Sequence, residues 1–219
     1  MSHNGIEWID RFKRECGIRR GLILHGNVGD LIDLKGRSTW SSIPVALRDE
    51  LKAFGYKHIV SWDRVSGVSG VDAKTWQSIQ SVSIPATLGE DKGGYDMGVL
   101  DDEGDMPNPS INIEVNPQDF LAVVAAQMRM SSPDKVAFII DWSQYLFGAV
   151  NSLSEQERTM LLMIGKASRD ADVSLSLSTI NQPQSLIIFL CQGVSILPPS
   201  IYVDNPLFTD ITVPLPNRD

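Results

Sequence analysis

A single carboxylate at the end of an apolar run is the first candidate for chemistry in this sequence. The run from Val136 to Ile140 is followed by Asp141 and then by Trp142. A buried parallel strand that ends in this way places one carboxylate where Mg²⁺ is held in phosphoryl-transfer sites, and a further group orients the attacking nucleophile. An indole cannot act as that base. We therefore favour the alternative interpretation, in which Asp141 hydrogen-bonds a neighbouring loop or caps a turn and Trp142 packs at the edge of the sheet.

A phosphate-binding loop is the second candidate, because Gly26, Asn27 and Gly29 follow another short apolar segment. Such a loop requires the spacing G-x-x-x-x-G-K-[ST], in which the Lys reaches the phosphates and the hydroxyl binds magnesium. Counting from Gly26, or from the earlier Gly21, places neither the Lys nor the hydroxyl at the required positions. Asp30 would add negative charge beside the phosphates. These glycines are therefore typical of a tight turn.

A magnesium-dependent nuclease or phosphatase is a third interpretation of the acids. Asp63, Glu114 and the acids of 101–105 could join the strand-end aspartate as oxygen ligands. No D-x-D pair stands at a strand end, however, and the cluster has the composition of a solvated loop. Acyl-transfer chemistry is not indicated either, because no G-x-S-x-G occurs and His25 and His58 have no evident nucleophile partner. We rank this third interpretation below the other two.

Helices alternate with short apolar strands in the elements that must position these residues. Helical periodicity or capping signals predict helices within 5–16, 38–55, 116–130 and 153–171, and apolar runs predict strands at 20–26, 58–63, 135–141, 186–191 and 208–219. This alternation predicts an α/β domain with a mainly parallel sheet and helices on both faces. Ligands in such folds bind at the carboxyl ends of the strands.

Local signals support two of these helices in particular. Asn116 before Pro117 predicts a capped helix start, and Ser154 with Glu157 three residues later predicts a capping box. The apolar face of the helix within 38–55 is predicted to consist of Val45, Leu47, Leu51 and Phe54.

Residues 66–110 interrupt the pattern. They are rich in Gly, Asp and Pro, and the stretch from Glu90 to Asp105 holds seven acids and one lysine, which gives −6 of the chain's net charge of −8. We predict an irregular acidic insertion or loop within a single domain that spans residues 1–219.

Composition and charge exclude several classes of protein. Without a cluster of Lys and Arg, the sequence gives no electrostatic footprint for nucleic acid. Cys16 and Cys191 offer neither a metal spacing nor a disulfide framework, and Cys191 is predicted to be a small core residue. No signal peptide is present, and the longest apolar stretch is too short and too interrupted to cross a membrane. These features predict a soluble, cytoplasmic protein.

The order of four segments resembles the order of strands in a AAA+ ATPase core. They are "GLILHGNVGDLI", "KVAFIIDWSQYLF", "SLIIFLCQGVSILPPSIYVDNP" and "FTDITVPLPNRD". The third is similar to the sensor strand of that family, and the last is similar to the strand and "PLPxR" passage before its lid. Over most of 5–65 and 111–219, the chain resembles the degenerate N-terminal module, without a phosphate loop, of the two-part AAA+ ATPases of bacteria and plastids. The resemblance implies a three-layer fold of the P-loop NTPase type.

The resemblance also assigns positions to the candidate site residues. Asp141 falls where the magnesium-side acid of a AAA+ core would be, and Gln192 falls near its sensor residue. Gly26, Asn27 and Gly29 lie in the segment that replaces the phosphate loop. These five residues are predicted to be vestigial nucleotide-site positions, with no catalytic residue and no metal ligand among them.

Three hypotheses for function follow. The first is a catalytically inactive AAA+-like domain without a cofactor, with a regulatory role or one in binding a protein partner, a AAA+ ATPase domain or a second copy of itself. The second is an ATPase component that binds ATP and Mg²⁺ once another domain or subunit completes it. The third is the magnesium-dependent phosphoryl-transfer or nuclease enzyme. Because the sequence stops at Asp219, before any lid, we expect a fragment or a relic of a larger AAA+ ATPase.

Overall fold

The computed structural model describes residues 4–32, 40–81, 112–131, 134–171 and 184–215. The helices are α1 (Asn4–Cys16), α2 (Ile43–Phe54), α3 (Ala73–Ser81), α4 (Pro117–Arg129) and α5 (Glu155–Arg169). The strands are β1 (Gly21–Gly26), β2 (Leu31–Ile32), β3 (Ser41–Ser42), β4 (His58–Asp63), β5 (Gly67–Ser69), β6 (Val136–Ile140), β7 (Leu186–Cys191) and β8 (Phe208–Val213). The five strands predicted from apolar runs are all present, but the last one, predicted over 208–219, ends at Val213 before Pro214, and residues 216–219 lie outside the described residues.

Six strands form the main sheet in the order β5-β4-β6-β7-β1-β8. Pairing is parallel throughout except between β4 and β5, which form an antiparallel hairpin. β2 and β3 form a separate two-stranded ribbon between β1 and α2. The predicted α/β architecture with a mainly parallel sheet is confirmed.

Helices cover both faces of the sheet, which explains why its central strands are continuously apolar. On one face α3, α4 and α5 contribute to a core that includes Phe138 and Phe189. On the other face α1 and α2 contribute to a second core that includes Ile139 and Leu190. Alternate residues of β6 and β7 therefore enter opposite cores, and every residue of both strands is buried. Burial raises the pKa of the Cys191 thiol to about 11, as befits a core residue.

The predicted helix starts are also confirmed. Asn116 precedes α4 and its side-chain oxygen accepts a hydrogen bond from the Asp119 amide at 2.9 Å. Ser154 and Glu157 form the reciprocal capping box at the start of α5. Each motif satisfies amide groups that the first turn of a helix leaves without a partner.

The predicted face of α2 is wrong in one position. Val45 is exposed, whereas Ile43 and Ala46 are buried together with Leu47 and Leu51. α2 begins at Ile43, so the buried positions recur from that residue at helical spacing and Val45 falls on the solvent side.

The irregular structure predicted for residues 66–110 is corrected for 66–81. β5 pairs with β4, and α3 buries Trp76 and Ile79 in the core of its face. The glycine-rich composition reflects close packing, because a Cβ on Gly67, whose φ is +71°, would lie 2.1 Å from the carbonyl oxygen of Ile113. The acidic stretch lies within 82–111, outside the described residues, so the extent of the insertion and the single-domain boundary stay predictions.

Candidate functional site

The carboxyl ends of three neighbouring strands form the candidate site. β1 ends at Gly26, β7 is followed by Gln192, and β6 is followed by Asp141. β7 lies between the other two strands, with Cys191 opposite His25 of β1. The structure therefore brings the predicted site residues to one edge of the sheet, as parallel pairing requires.

Main-chain hydrogen bonds close the end of β1. The amide of Gly26 donates to the carbonyl of Gln192 at 3.1 Å, and the amide of Asn27 donates to the carbonyl of Val213 at 3.0 Å. The next amide, that of Val28, donates to the carbonyl of Gly26 at 2.9 Å. A phosphate cradle needs successive amide groups that point at the ligand. Here three successive amides are used inside the protein.

The structure explains one of the two glycines of this turn. Gly26 has a φ of +98°, and a Cβ there would lie 2.8 Å from the Val213 carbonyl oxygen, so the close approach of the strands requires a glycine. Gly29 is exposed and a Cβ there would contact nothing within 4 Å. Strand packing therefore explains Gly26, and no contact in the described structure explains Gly29.

The path after β1 also differs from that of a phosphate-binding loop. In such a loop the helix begins directly after the turn and points its N-terminus at the phosphates. Here the chain first forms the β2–β3 ribbon, and α2 begins only at Ile43. The helix end is therefore separated in sequence from the β1 turn.

One polar atom in the turn lacks a partner. The side-chain nitrogen Nδ2 of Asn27 is buried and has no hydrogen-bond acceptor among the described residues. A buried donor without an acceptor destabilises the fold, typically by about 1–3 kcal/mol. This atom is the one feature of the β1 end that would accommodate an acceptor group from elsewhere.

Asp141 is held by its own turn. Its amide donates to the carbonyl of Trp62 at 2.9 Å, and its side-chain oxygen Oδ1 accepts from the amide of Trp142 at 2.8 Å. Burial raises the pKa of the Asp141 carboxyl, and the negative charge of Asp63 raises it further. In the described structure no cation compensates this carboxylate, and the favoured sequence interpretation, a hydrogen-bonded turn, agrees with this geometry.

Asp63 is engaged at the β4–β5 turn. Its side-chain oxygen Oδ1 accepts hydrogen bonds from the amides of Val65 at 2.8 Å and Ser66 at 2.7 Å. This arrangement stabilises the hairpin turn. Within the described residues no group of three or more His, Cys, Asp or Glu side chains is placed to hold a metal ion.

Trp142 adopts a left-handed conformation with a φ of 51° and exposes half of its surface. Its ring stacks on that of Tyr145, with centroids 6.3 Å apart. The exposed indole stands directly after Asp141, where a phosphoryl-transfer site would need a base. The turn at this strand end thus presents an aromatic surface.

Sequence reasoning missed Ser143, which fixes this turn. The Ser143 hydroxyl is buried and donates to the carbonyl of Leu190 at 2.7 Å, which ties the end of β6 to β7. A serine after a strand-end acid carries no distinguishing signal, because the partner is a main-chain carbonyl distant in sequence. Its contribution became visible only in three dimensions.

His25 contacts two polar side chains, but not in the geometry of a catalytic triad. Its Nε2 atom lies 3.3 Å from Asp210 Oδ2 and 3.3 Å from Thr212 Oγ1. A triad uses one ring nitrogen for the acid and the other for the nucleophile. Both contacts here fall on the same nitrogen, so they orient the ring at the β1–β8 edge.

The family of the chain follows from its match over nearly the whole sequence. A model of the AAA+ chaperone, N-terminal Rossmann-like domain, matches residues 6–214. The chain belongs to this family. The parallel sheet and the AAA+-like segment order of this AAA+ chaperone N-terminal domain agree with that assignment, and the resemblance found in the sequence is confirmed.

Two further findings concern the AAA+ chaperone N-terminal domain. A search of curated proteins gives no match to the chain. None of the helices within the described ranges combines the length and the apolarity needed to span a lipid bilayer.

Proposed function

We propose that this AAA+ chaperone N-terminal domain does not hydrolyse ATP by itself and acts as a protein-binding or regulatory module of a larger AAA+ protein. The observation that carries the proposal is the closed end of β1. The amides of Gly26, Asn27 and Val28 donate within the protein, and a phosphate group would have to compete with those bonds. Asp141 lacks both a neighbouring base and a described cation.

An exposed aromatic patch supports the protein-binding part of the proposal. The patch consists of Trp142, Tyr145 and Val65, which are 50%, 61% and 95% exposed. Arg64 Nη1 donates to the Tyr145 carbonyl at 3.1 Å and so holds the β4–β5 turn beside the ring pair. Exposed aromatic residues at a fixed turn are typical of the core of protein interfaces.

The second candidate is an ATP-binding component completed by another domain or subunit. The unpaired Nδ2 of Asn27 favours it, since that buried atom would gain an acceptor from a bound ligand. The half-buried carboxylate of Asp141 would gain a counter-ion from Mg²⁺. Both features call for an added partner, whereas the closed β1 end opposes phosphate binding.

A titration with fluorescently labelled ATP separates the two candidates for this chain alone. We expect no saturable binding to the purified chain up to about 1 mM nucleotide with Mg²⁺ present, a concentration that corresponds to very weak association. The matched variants are Asp141→Ala and Asp134→Ala, which remove an acid from opposite ends of β6.

Micromolar binding that Asp141→Ala abolishes and Asp134→Ala leaves intact would contradict the proposal and support the second candidate. The third hypothesis is checked with the same protein. Incubation with short DNA and with a simple phosphate ester, in Mg²⁺ or Mn²⁺, should give no turnover above the protein-free rate.

A further inference from the structure

The outer edge of β8 is open in the described structure. β8 is the last strand of the sheet and, among the described residues, pairs only with β1. An unpaired strand edge is a template on which another extended chain can form main-chain hydrogen bonds. The candidate nucleotide positions lie only at the carboxyl ends of the strands. Most of the β8 edge is therefore distant from them.

The main-chain groups at this edge can be assigned by parity. The Leu207 carbonyl accepts from the amide of Gly21 at the start of β1, and the Val213 carbonyl accepts from the amide of Asn27 directly after β1. Main-chain groups of successive residues in a strand point to alternate sides. The amide and carbonyl groups of Asp210 and Thr212 therefore point away from β1. Both residues are exposed, and among the described residues no strand pairs with these two outward amides and two outward carbonyls.

A groove runs beside this edge. It lies between α1 and β8 and has a volume of about 490 Å³, with Trp8, Ile211 and Pro214 among its lining residues. The apolar part of the lining would accept side chains from one face of an extended segment. We call this cleft the α1–β8 groove.

Charges on α1 give the α1–β8 groove a polarity. Arg20, shortly after α1, donates its amide to the Leu207 carbonyl at 3.0 Å, so the C-terminal end of α1 lies at the amino end of β8. Arg14 is near that end, and Glu7 lies about 10 Å further toward the carboxyl end of β8 at a rise of about 1.5 Å per residue. The distance lies between two and four residues of a strand, which are the spacings at which two side chains share a face. Glu7 and Arg14 both line the groove.

We propose that the β8 edge and the α1–β8 groove bind an extended polypeptide segment as an additional strand. The partner carries apolar side chains on the face toward the groove, a basic residue beside Glu7 and an acidic residue beside Arg14. Antiparallel addition is the more stable arrangement per residue. It places the amino end of the partner at the carboxyl end of β8, so the basic residue comes first in the partner sequence.

This inference rests on the protein-binding part of the proposed function, and it adds the surface and the chemistry of the partner. The two proposals fail separately. ATP binding at Asp141 would overturn the claim of an inactive nucleotide site without altering peptide binding at β8. A closed β8 edge would overturn the inference while the nucleotide result stood.

The test uses a labelled, capped five-residue peptide in which lysine, valine and glutamate at the first, third and fifth positions share one face and threonines occupy the other face, and a second peptide with the two charges exchanged. Binding to the full chain is measured by fluorescence anisotropy. We expect the first peptide to bind about threefold to tenfold more tightly, since two exposed charge pairs are exchanged for two repulsive ones. The double variant Glu7→Arg with Arg14→Glu should reverse that preference.

A matched pair of variants at one position tests the main-chain contact. Thr212→Pro removes the outward amide and should weaken the first peptide about tenfold. Thr212→Val keeps the outward amide and removes the hydroxyl, which contacts His25, so it should weaken the peptide clearly less than Thr212→Pro does. Thermal unfolding of each variant checks that the sheet is retained. Hydrogen exchange gives a second readout that needs no variant, because the peptide should slow exchange of the Asp210 and Thr212 amides.

Each of four results would overturn the inference. They are no saturable binding at about 1 mM peptide, equal losses in the two Thr212 variants, slow exchange of the Asp210 and Thr212 amides before any peptide is added, and a dimer in sedimentation that Thr212→Pro dissociates. The last result would assign the edge to a second copy of the chain.

Discussion

The two ends of β6 each carry an aspartate, and the structure treats the two charges in opposite ways. Asp134, before the strand, is exposed and lies 2.6 Å from the Lys57 ammonium group, which holds the pKa of its carboxyl below the usual range. Asp141, after the strand, is half-buried, and burial raises the pKa of its carboxyl. One end has a conventional surface ion pair. The other keeps a carboxylate where its desolvation is not compensated by a described cation.

This difference shows which part of the strand-end geometry has an identified structural role. The Asp141 carboxylate accepts the Trp142 amide, so it shapes the turn that presents the aromatic patch. A side-chain amide could accept the same hydrogen bond without a charge. The charge of Asp141 is thus separable from its role in the turn, whereas the charge of Asp134 adds Coulombic attraction to its hydrogen bond with Lys57.

The strand that joins the two ends should show the largest effect. Ile139→Ala removes a fully buried side chain from the core of α1 and α2 and should lower the free energy of unfolding by about 2–5 kcal/mol. Urea denaturation measures the change. Val45→Ala is the control, since Val45 is exposed, and should change it by less than about 0.5 kcal/mol. A loss near zero for Ile139→Ala would mean that β6 is not a core strand.

The backbone of the carboxyl end should give an effect of intermediate size. Trp142 has a φ of 51°, which non-glycine residues adopt at a cost of about 1–2 kcal/mol. Trp142→Gly and Trp142→Ala both lose the stack on Tyr145, but only glycine relieves the backbone. The glycine variant should therefore be the more stable of the two, by about 0.5–1 kcal/mol in thermal or urea unfolding. Equal stability would show that the turn relaxes into another conformation.

The smallest effect compares the two acids directly. The folded protein raises the pKa of Asp141, so the unfolded chain loses that proton first as the pH rises, and the stability of the parent falls relative to Asp141→Asn. The folded protein lowers the pKa of Asp134, so the parent gains stability relative to Asp134→Asn over the same rise. For Asp141 the change, screened by solvent, should stay below about 1 kcal/mol.

Urea unfolding of the parent and both variants from about pH 2 to about pH 7 measures the two slopes, since the change at Asp134 falls mostly below the ordinary aspartate pKa of about 4 and the change at Asp141 falls above it. Slopes of the same sign would contradict the assignment of different environments to the two ends.

The sequence predicted the fold wherever a local pattern matched a burial pattern. The runs 136–140 and 186–191 are wholly apolar because both of their faces enter cores, and the caps at Asn116 and Ser154 are local by nature. β5 and α3 were both missed. For β5 the reason is that a three-residue strand beside glycines has too few positions to show a period. The exposure of Val45 depended on where α2 begins, which the sequence alone left open.

The position of the candidate site in the sheet could be predicted from the sequence, but its hydrogen bonds could not. Parallel strands bring Gly26, Asp141 and Gln192 to one edge, and the apolar runs before them revealed this. The use of the Gly26 and Asn27 amides by Gln192 and Val213 depends on main-chain pairing between segments far apart in the chain. No residue type signals such pairing. The sequence therefore shows that the phosphate-loop spacing is absent, but it does not show which groups accept from these amides.

Because Trp142 is exposed, its fluorescence can be used to monitor the candidate site of the AAA+ chaperone N-terminal domain. Trp8, Trp62 and Trp76 are buried, whereas Trp142 and Trp40 are exposed. Acrylamide should quench the emission of the two exposed indoles and leave that of the interior ones. In a Trp40→Phe background, the quenchable emission of the folded protein therefore comes from Trp142. Any molecule that covers the strand end will shield that indole from the quencher. The residue in the place of a catalytic base is thereby an intrinsic fluorophore at the site.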